Sequence, residues 1–394
     1  MLRRLTGRVR VPERDYPAFS AAEMARRRGA LAGVLNESAV EVVLCYGFDR
    51  SGSAVPWLSG WPVTREAALL LRPDEPDTLF VCHDNHVPNA RRLAPDADVR
   101  PGGRSALSAA LEWLSSQHAR PNRLGLIGPV PARAATQLAA TASELVFLDA
   151  EYTRLRLVKS AEEIDWLRRG AQMSDDAVAA LARSARPGMT EAECCASLES
   201  AYIAAGGLTQ IHYLGVTPMA QPSLCVPAQW PSSRRLRPGD AMCCEVSASY
   251  HGYPGQLLRS FTLAAEPTPQ YRDLHDVAEA AFGAIAARLR PGARASDLAE
   301  AGAEIILGAG YTIYDDLVHG YGGGYLPPVL SRADLEARQA PDFTFEAGMT
   351  VVIQPNVITP DERAGVQTGE LVLVTETGWE SLHHYPRGLA RIGG

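Results

Sequence analysis

The spacing of hydrophobic and polar positions changes character near residue 150. Before it, short apolar runs alternate with helical patterns. Residues 40–48, 66–71, 78–82, 124–128 and 145–149 read as buried strands, and 20–35 and 131–143 as helices. This alternation predicts an α/β domain over 1–150. Over 151–394 the texture is α+β. Ile164, Leu167, Ala171, Ala177 and Leu181 recur at helical spacing and predict a helix over 161–183. Thr190 and Glu193 form a capping box that opens a second helix, which stops near Gly206 and Gly207. Strands are predicted over 241–250, 257–263, 349–357 and 370–376, with helices over 271–289 and 296–307 between them.

The second part also repeats itself. Arg186-Pro187-Gly188 opens a segment ending at Gly206-Gly207, and Arg290-Pro291-Gly292 opens one of similar length ending near Gly310. Helix, RPG turn, helix and glycine stop occur in both. The pattern predicts a duplicated unit related by a pseudo-twofold, with a site at the seam of the two copies.

Composition narrows the chemistry. The 394 residues carry a net charge of -7, which gives no reason to expect nucleic-acid binding. Of the 38 basic residues only Lys159 is a lysine, so a Walker-type phosphate loop is excluded and Schiff-base chemistry would have to use that residue. The seven cysteines form no CxxC pair and sit mostly in apolar runs, as reduced, buried thiols do. The basic N-terminal stretch has no apolar segment behind it, and no run is long enough for a membrane span. A cytoplasmic protein with no membrane association is expected.

Ordered motifs then carry a family resemblance. They are Arg156, Lys159 and Glu163; the two RPG turns; Gly239-Asp240; Tyr250, Gly252 and Tyr253 running to Arg259 and Phe261; His319 to Gly322; Phe345 to Met349 leading into Pro355-Asn356; and Val372 to Glu376. Over roughly 152–385 the chain resembles the pita-bread family of creatinase, aminopeptidase P, prolidase and methionine aminopeptidase. The resemblance implies a creatinase-like N-terminal α/β domain, a duplicated pita-bread catalytic domain, and a homodimer.

The family's metal-dependent members hold two divalent ions with Asp, Asp, His, Glu and Glu. Carried over, these positions fall on Glu245, Gln256, His319, Gln354 and Gly369. One carboxylate remains of four. Hard cations need anionic oxygens to offset dehydration, so the resemblance implies a site without metal or other cofactor. The second peptidase histidine falls on Leu326, and the creatinase histidine on Ala228 or Gln229.

From this the sequence reading expects a metal-independent, creatinase-like hydrolase of a C–N bond in a small polar amidine, lactam or ureido compound. A non-hydrolytic small-molecule enzyme and a non-catalytic binding protein are the alternatives, and an Xaa-Pro peptidase is ranked last. His319, Glu245 and Glu370 are the expected catalytic residues. Gln256, Gln354, Arg259, His212 and Tyr213 are expected to bind substrate. Lys159 is expected to have a structural role beside Glu162 or Glu163, and His383 and His384 to lie at the surface or an interface.

Overall fold

The computed structural model describes residues 16–73, 75–117, 120–314, 316–330 and 343–394. Most of the basic N-terminal stretch read above falls outside them. The chain divides into two compact units, Met1–Leu155 and Arg156–Gly394. Among the described residues no helix is long and apolar enough to cross a membrane.

In the first unit, β1 (Val42–Gly47), β2 (Ala67–Leu71), β3 (Thr78–Val81), β4 (Asp98–Pro101), β5 (Arg123–Ile127) and β6 (Glu144–Phe147) form a mixed sheet in the order β4-β3-β2-β1-β5-β6. Its helices are α1 (Ala21–Glu37), α2 (Ala54–Ser59), α3 (Val87–Leu93), α4 (Ala106–Gln117), α5 (Ala135–Thr141) and α6 (Asp149–Leu155). Both sheet faces are covered, which is why β1 reads as an unbroken apolar run. Val43 and Cys45 join one core with Leu31 and Leu35, and Val42 and Leu44 join another with Leu107 and Leu111. β4 escaped the sequence pattern because only Val99 of its four residues is buried.

The second unit opens with α7 (Ala161–Ser184), α8 (Glu191–Ile203), β7 (Leu208–Pro218), β8 (Asp240–Tyr250) and β9 (Tyr253–Leu263). It continues through α9 (Pro269–Ala286), α10 (Ala295–Gly308), β10 (Val318–Tyr321), β11 (Tyr325–Leu330) and β12 (Thr350–Ile353). A small hairpin, β13 (Asn356–Ile358) and β14 (Gly365–Gln367), precedes β15 (Gly369–Val374), β16 (Trp379–Ser381) and β17 (Ala390–Ile392). The large sheet runs β11-β10-β12-β15-β9-β8-β7, with β16 on β15 and β17 on β9. The strand expected over 349–357 is broken in two after Ile353, where Gln354 and Pro355 turn away.

The predicted duplication is visible in individual hydrogen bonds. Gly188 N–H donates to Leu236 O, and Leu236 N–H returns a bond to Met189 O. In the second copy Gly292 donates to Phe345 O, and Phe345 to Ala293 O. Gly239 then bonds Leu263, as Gly348 bonds Val374. β8 and β9 thus correspond to β12 and β15, and the copies meet where β9 pairs with β15, Leu258 opposite Gly369 and Leu257 opposite Glu370.

Helices cover one face of this sheet. The expected capping box holds, with Thr190 Oγ1 accepting from Glu193 N–H at 3.2 Å and Glu193 accepting from Thr190 N–H at 2.7 Å. α7 approaches β9 so closely at Gly170 and Gly255 that a Cβ on either would collide with backbone of the other element. Core side chains from β8 and β9, among them Cys244, Val246, Leu257 and Phe261, face α7 and α8. Their neighbours in sequence face the opposite, concave side.

Lys159 is buried just before α7, its ammonium donating to Leu157 O at 2.8 Å. Burial, reinforced by Arg156 and opposed by Glu163, pulls the amine down to about 7 from 10.5. The folded state therefore binds fewer protons than the unfolded chain between those values. The cost of burying the charge is full below about pH 7 and fades as pH rises to the unfolded value. Stability of the native protein relative to Lys159→Met is expected to climb across that window, by on the order of 5 kcal/mol. Urea unfolding of both proteins at stepped pH checks this, and a pH-independent difference would refute it.

Candidate functional site

The concave face gathers the residues at the five family positions. Strand parity decides which side chains reach it. On β8, Cys244 and Val246 belong to the helix-side core, so Glu245 and Ser247 point the other way. The register sets Gln256 opposite Ser247, and Leu258 opposite Glu245. β10 brings His319 against Val352, and Gln354 follows at the end of β12. Glu245, Gln256, His319 and Gln354 are all buried.

They form one hydrogen-bonded cluster. Gln256 Nε2 donates to Glu245 Oε1 at 2.6 Å and to Gln354 Oε1 at 3.4 Å. His319 Nε2 lies 3.2 Å from the same Gln354 oxygen, and its Nδ1 lies 3.1 Å from Gly320 O. Gln354 Nε2 donates to Asp316 Oδ1 at 2.9 Å, which fixes the amide's orientation. The His319 ring stacks on Tyr325 at 4.1 Å and meets Tyr321 edge-on at 5.4 Å. Burial pushes the Tyr321 phenol up; Ser247 opposes this and Glu245 adds to it.

The residues do not fit a pair of divalent ions. Gln256 directs an N–H donor at the one carboxylate that remains of the family's four, where a cation would need open lone pairs. Gly369 offers no ligand and leaves no room for one. A Cβ there would collide with Ile353 O and sit 2.8 Å from Gln354 Cα and 3.1 Å from Leu258 Cδ1. Among the described residues no group of three or more His, Cys, Asp or Glu is arranged to hold a metal.

Three expected site residues lie elsewhere. Glu370 is one residue past Gly369 and so faces the helix side, where Oε2 accepts from Arg259 at 2.7 Å and Oε1 from Arg387 at 3.2 Å. It is not placed to catalyse on the concave face. Arg259 cannot bind substrate because all five N–H donors are committed: to Leu258 O, Gly369 O, Tyr385 O, Pro386 O and Glu370. His212 pairs opposite Val246 and faces the helices, with Nε2 3.1 Å from Tyr202 Oη; burial lowers its pKa to about 4. Tyr213 pairs opposite Glu245 and does share its face.

The sequence reading also missed residues. Asp316 and Ser247 lie outside every motif, and Tyr321 was read only as part of the His319-to-Gly322 motif. Asn356 and Gln367 are fully or almost fully buried and paired across β13 and β14. Among the described residues Gln256 Oε1, Gln367 Oε1 and both polar atoms of the Asn356 amide have no hydrogen-bond partner. Unpaired buried polar atoms are rare in native proteins, and each calls for a water, an ion or another polar partner.

Two substitutions test this geometry. Gly369→Ala is expected to destabilise by about 1–3 kcal/mol through overpacking, and Gly369→Glu is expected to bind no Mn²⁺ by calorimetry. Arg259→Met leaves Glu370 buried with half its partners gone, and is expected to cost about 3–5 kcal/mol in chemical denaturation.

Comparison with known proteins places the chain. It is 27% identical over 247 residues to the uncharacterized peptidase YqhT of Bacillus subtilis, covering 63% of this chain and 68% of that protein. It is 30% identical over 240 residues to the probable dipeptidase PepE of Mycobacterium tuberculosis, covering 60% of this chain and 61% of the relative. The match thus spans about three fifths of that relative's length. Among solved structures, the prolidase from Pyrococcus horikoshii superimposes with a TM-score of 0.78 at 20% identity, over 92% of this chain and 99% of that one. The dipeptidase PepE from Mycobacterium ulcerans gives 0.77 at 23%, over 95% and 100%. These structures share the fold of an N-terminal α/β domain followed by a curled, pita-bread domain. The relatives overturn the expectation of a creatinase-like hydrolase of small amidines, lactams or ureido compounds, because those matched are named as peptidases and dipeptidases. With the family profile matching residues 165–376, more than half of its 394 residues, the chain belongs to metallopeptidase family M24.

Proposed function

We propose that this protein hydrolyses short peptides in the concave pocket, and that it does so without the metal pair of its family. Family membership and the peptidase and dipeptidase relatives support the substrate class. The observation that carries the rest is the buried contact between Glu245 and Gln256 at 2.6 Å. A carboxylate held by an amide donor supplies the general base of amide hydrolysis. Glu245 takes a proton from water as its oxygen bonds the peptide carbonyl carbon, and Gln256 Nε2, which donates to Glu245 and to Gln354, holds that carboxylate in place. Glu245 then returns the proton to the departing amine as the C–N bond breaks. His319 and Asp316 hold Gln354 in place beside them.

The test is a dipeptide panel that includes Xaa-Pro sequences. It is run on chelator-treated protein and on protein supplied with Mn²⁺ or Zn²⁺, with bound metal counted by mass spectrometry. Hydrolysis that survives chelation and falls about 100-fold or more in Glu245→Gln is the expected result. Activity that appears only with one or two retained metal equivalents would overturn the metal-independent part. No hydrolysis under any condition would overturn the peptidase reading.

A further inference from the structure

The hairpin that carries His319 turns on three glycines. β10 ends at Tyr321, β11 begins at Tyr325, and Gly322, Gly323 and Gly324 lie between them. Gly323 and Gly324 stand at φ of 68° and 111°, a region that favours glycine. Tyr325 stacks on the His319 ring at 4.1 Å, and Tyr321 meets both rings edge-on, at 5.4 and 5.6 Å. His319 and Tyr321 are buried, whereas Tyr325 is 50% exposed. Surrounding side chains enclose only part of the Tyr325 ring, so the backbone of the turn decides where it stands.

A buried cation holds that backbone. Arg156 Nη2 donates to Gly322 O and to Gly323 O, both at 2.8 Å. The stem of Lys159 packs against the same turn. A Cβ at Gly322 would sit 2.5 Å from Lys159 Cε, and one at Gly323 would sit 2.7 Å from Arg156 Nη2. The segment that supplies these cations is fixed in turn. Lys159 N–H donates to Gly348 O at 2.9 Å, and Ser160 opens α7 through a capping box with Glu163. Hydrogen bonds from a guanidinium are stronger than neutral ones, and a buried carbonyl that loses its donor is costly.

We infer that Arg156 is a positioning residue, which sets the His319 ring by holding the glycine turn and, through it, Tyr325. His319 in turn meets Gln354 at 3.2 Å, beside Gln256 and Glu245. The part Arg156 plays in the reaction rests on the peptidase reading; the placement of the ring does not.

Nuclear magnetic resonance of histidine-labelled protein reads the placement, with His319→Gln to assign the signal. A ring stacked on Tyr325 has its carbon-bound protons shifted upfield. Arg156→Met and Tyr325→Leu are each expected to abolish most of that shift. Arg156→Lys, which keeps a cationic donor, is expected to retain part of it. Circular dichroism and thermal melting establish that each variant is folded, and Arg156→Gln replaces Arg156→Met if the latter does not fold. Peptide hydrolysis by Arg156→Met is expected to fall about tenfold or more in kcat, with KM changed less than about twofold. An unchanged His319 signal in the folded neutral variant, or equal signals in it and Arg156→Lys, would overturn the inference. A lost shift with unchanged kcat would overturn the role in the reaction. Native protein that hydrolyses no peptide would overturn the peptidase reading instead, and the resonance result would still decide the placement.

Discussion

Everything in the second unit hangs on the seam where β9 meets β15, and a buried guanidinium fixes that seam. Arg259 reaches across it to Gly369 O and Glu370, and out to Tyr385 O and Pro386 O in the C-terminal segment. A planar donor set with five acceptors in fixed places tolerates one register only. Buried ion pairs add little to net stability over a well-packed apolar substitute, but an unmatched one is costly, so a slipped register would be penalised. The seam therefore positions two faces at once. On one side lies Glu370, and on the other lie Leu258, Gly369 and the glutamines.

That close approach also explains why the departure from the family's ligand set is not one of side chains alone. If Gly369 were only a missing carboxylate, the space for it would remain. Instead Ile353 O and Gln354 Cα lie too close to where a Cβ would sit for one to fit without a shift. The two Gln residues act in the same direction. Each places an amide N–H against a carboxylate, Gln256 on Glu245 and Gln354 on Asp316. Neutral donors thus do the work of satisfying buried carboxylates that cations do elsewhere in such clusters.

Much of the architecture was legible in sequence because it rests on local rules. The RPG turns and the capping box at Thr190 mark helix ends through backbone geometry, and they recur in both copies. The concave cluster was legible through ordered motifs. What spacing alone did not reveal was strand parity. Glu370 and Gly369 are neighbours, as are His212 and Tyr213, yet each pair divides between opposite faces. Assigning a face needs a register, and register comes from pairing with strands distant in sequence. Asp316 was invisible for a related reason. It precedes β10 in an irregular segment with no periodicity, and only the fold brings its carboxylate to Gln354.

The family resemblance led correctly to the fold and misled on chemistry, and the physical reason is specific. Fewer carboxylates at the ligand positions would remove one way of activating water, but would not change which substrate backbone a concave sheet can receive. The reading from ligand loss to small-molecule chemistry therefore carried an extra step that the residues did not license. The concave face keeps polar side chains at four of the five positions the ions' ligands would hold, and Gln256 Oε1 among them has no partner among the described residues. A pocket that had merely decayed would be free to fill with apolar side chains, since unpaired buried polar atoms are destabilising. Their retention fits a site that still receives a hydrogen-bonding occupant, and an extended peptide, with a donor and an acceptor in nearly every residue, is such an occupant.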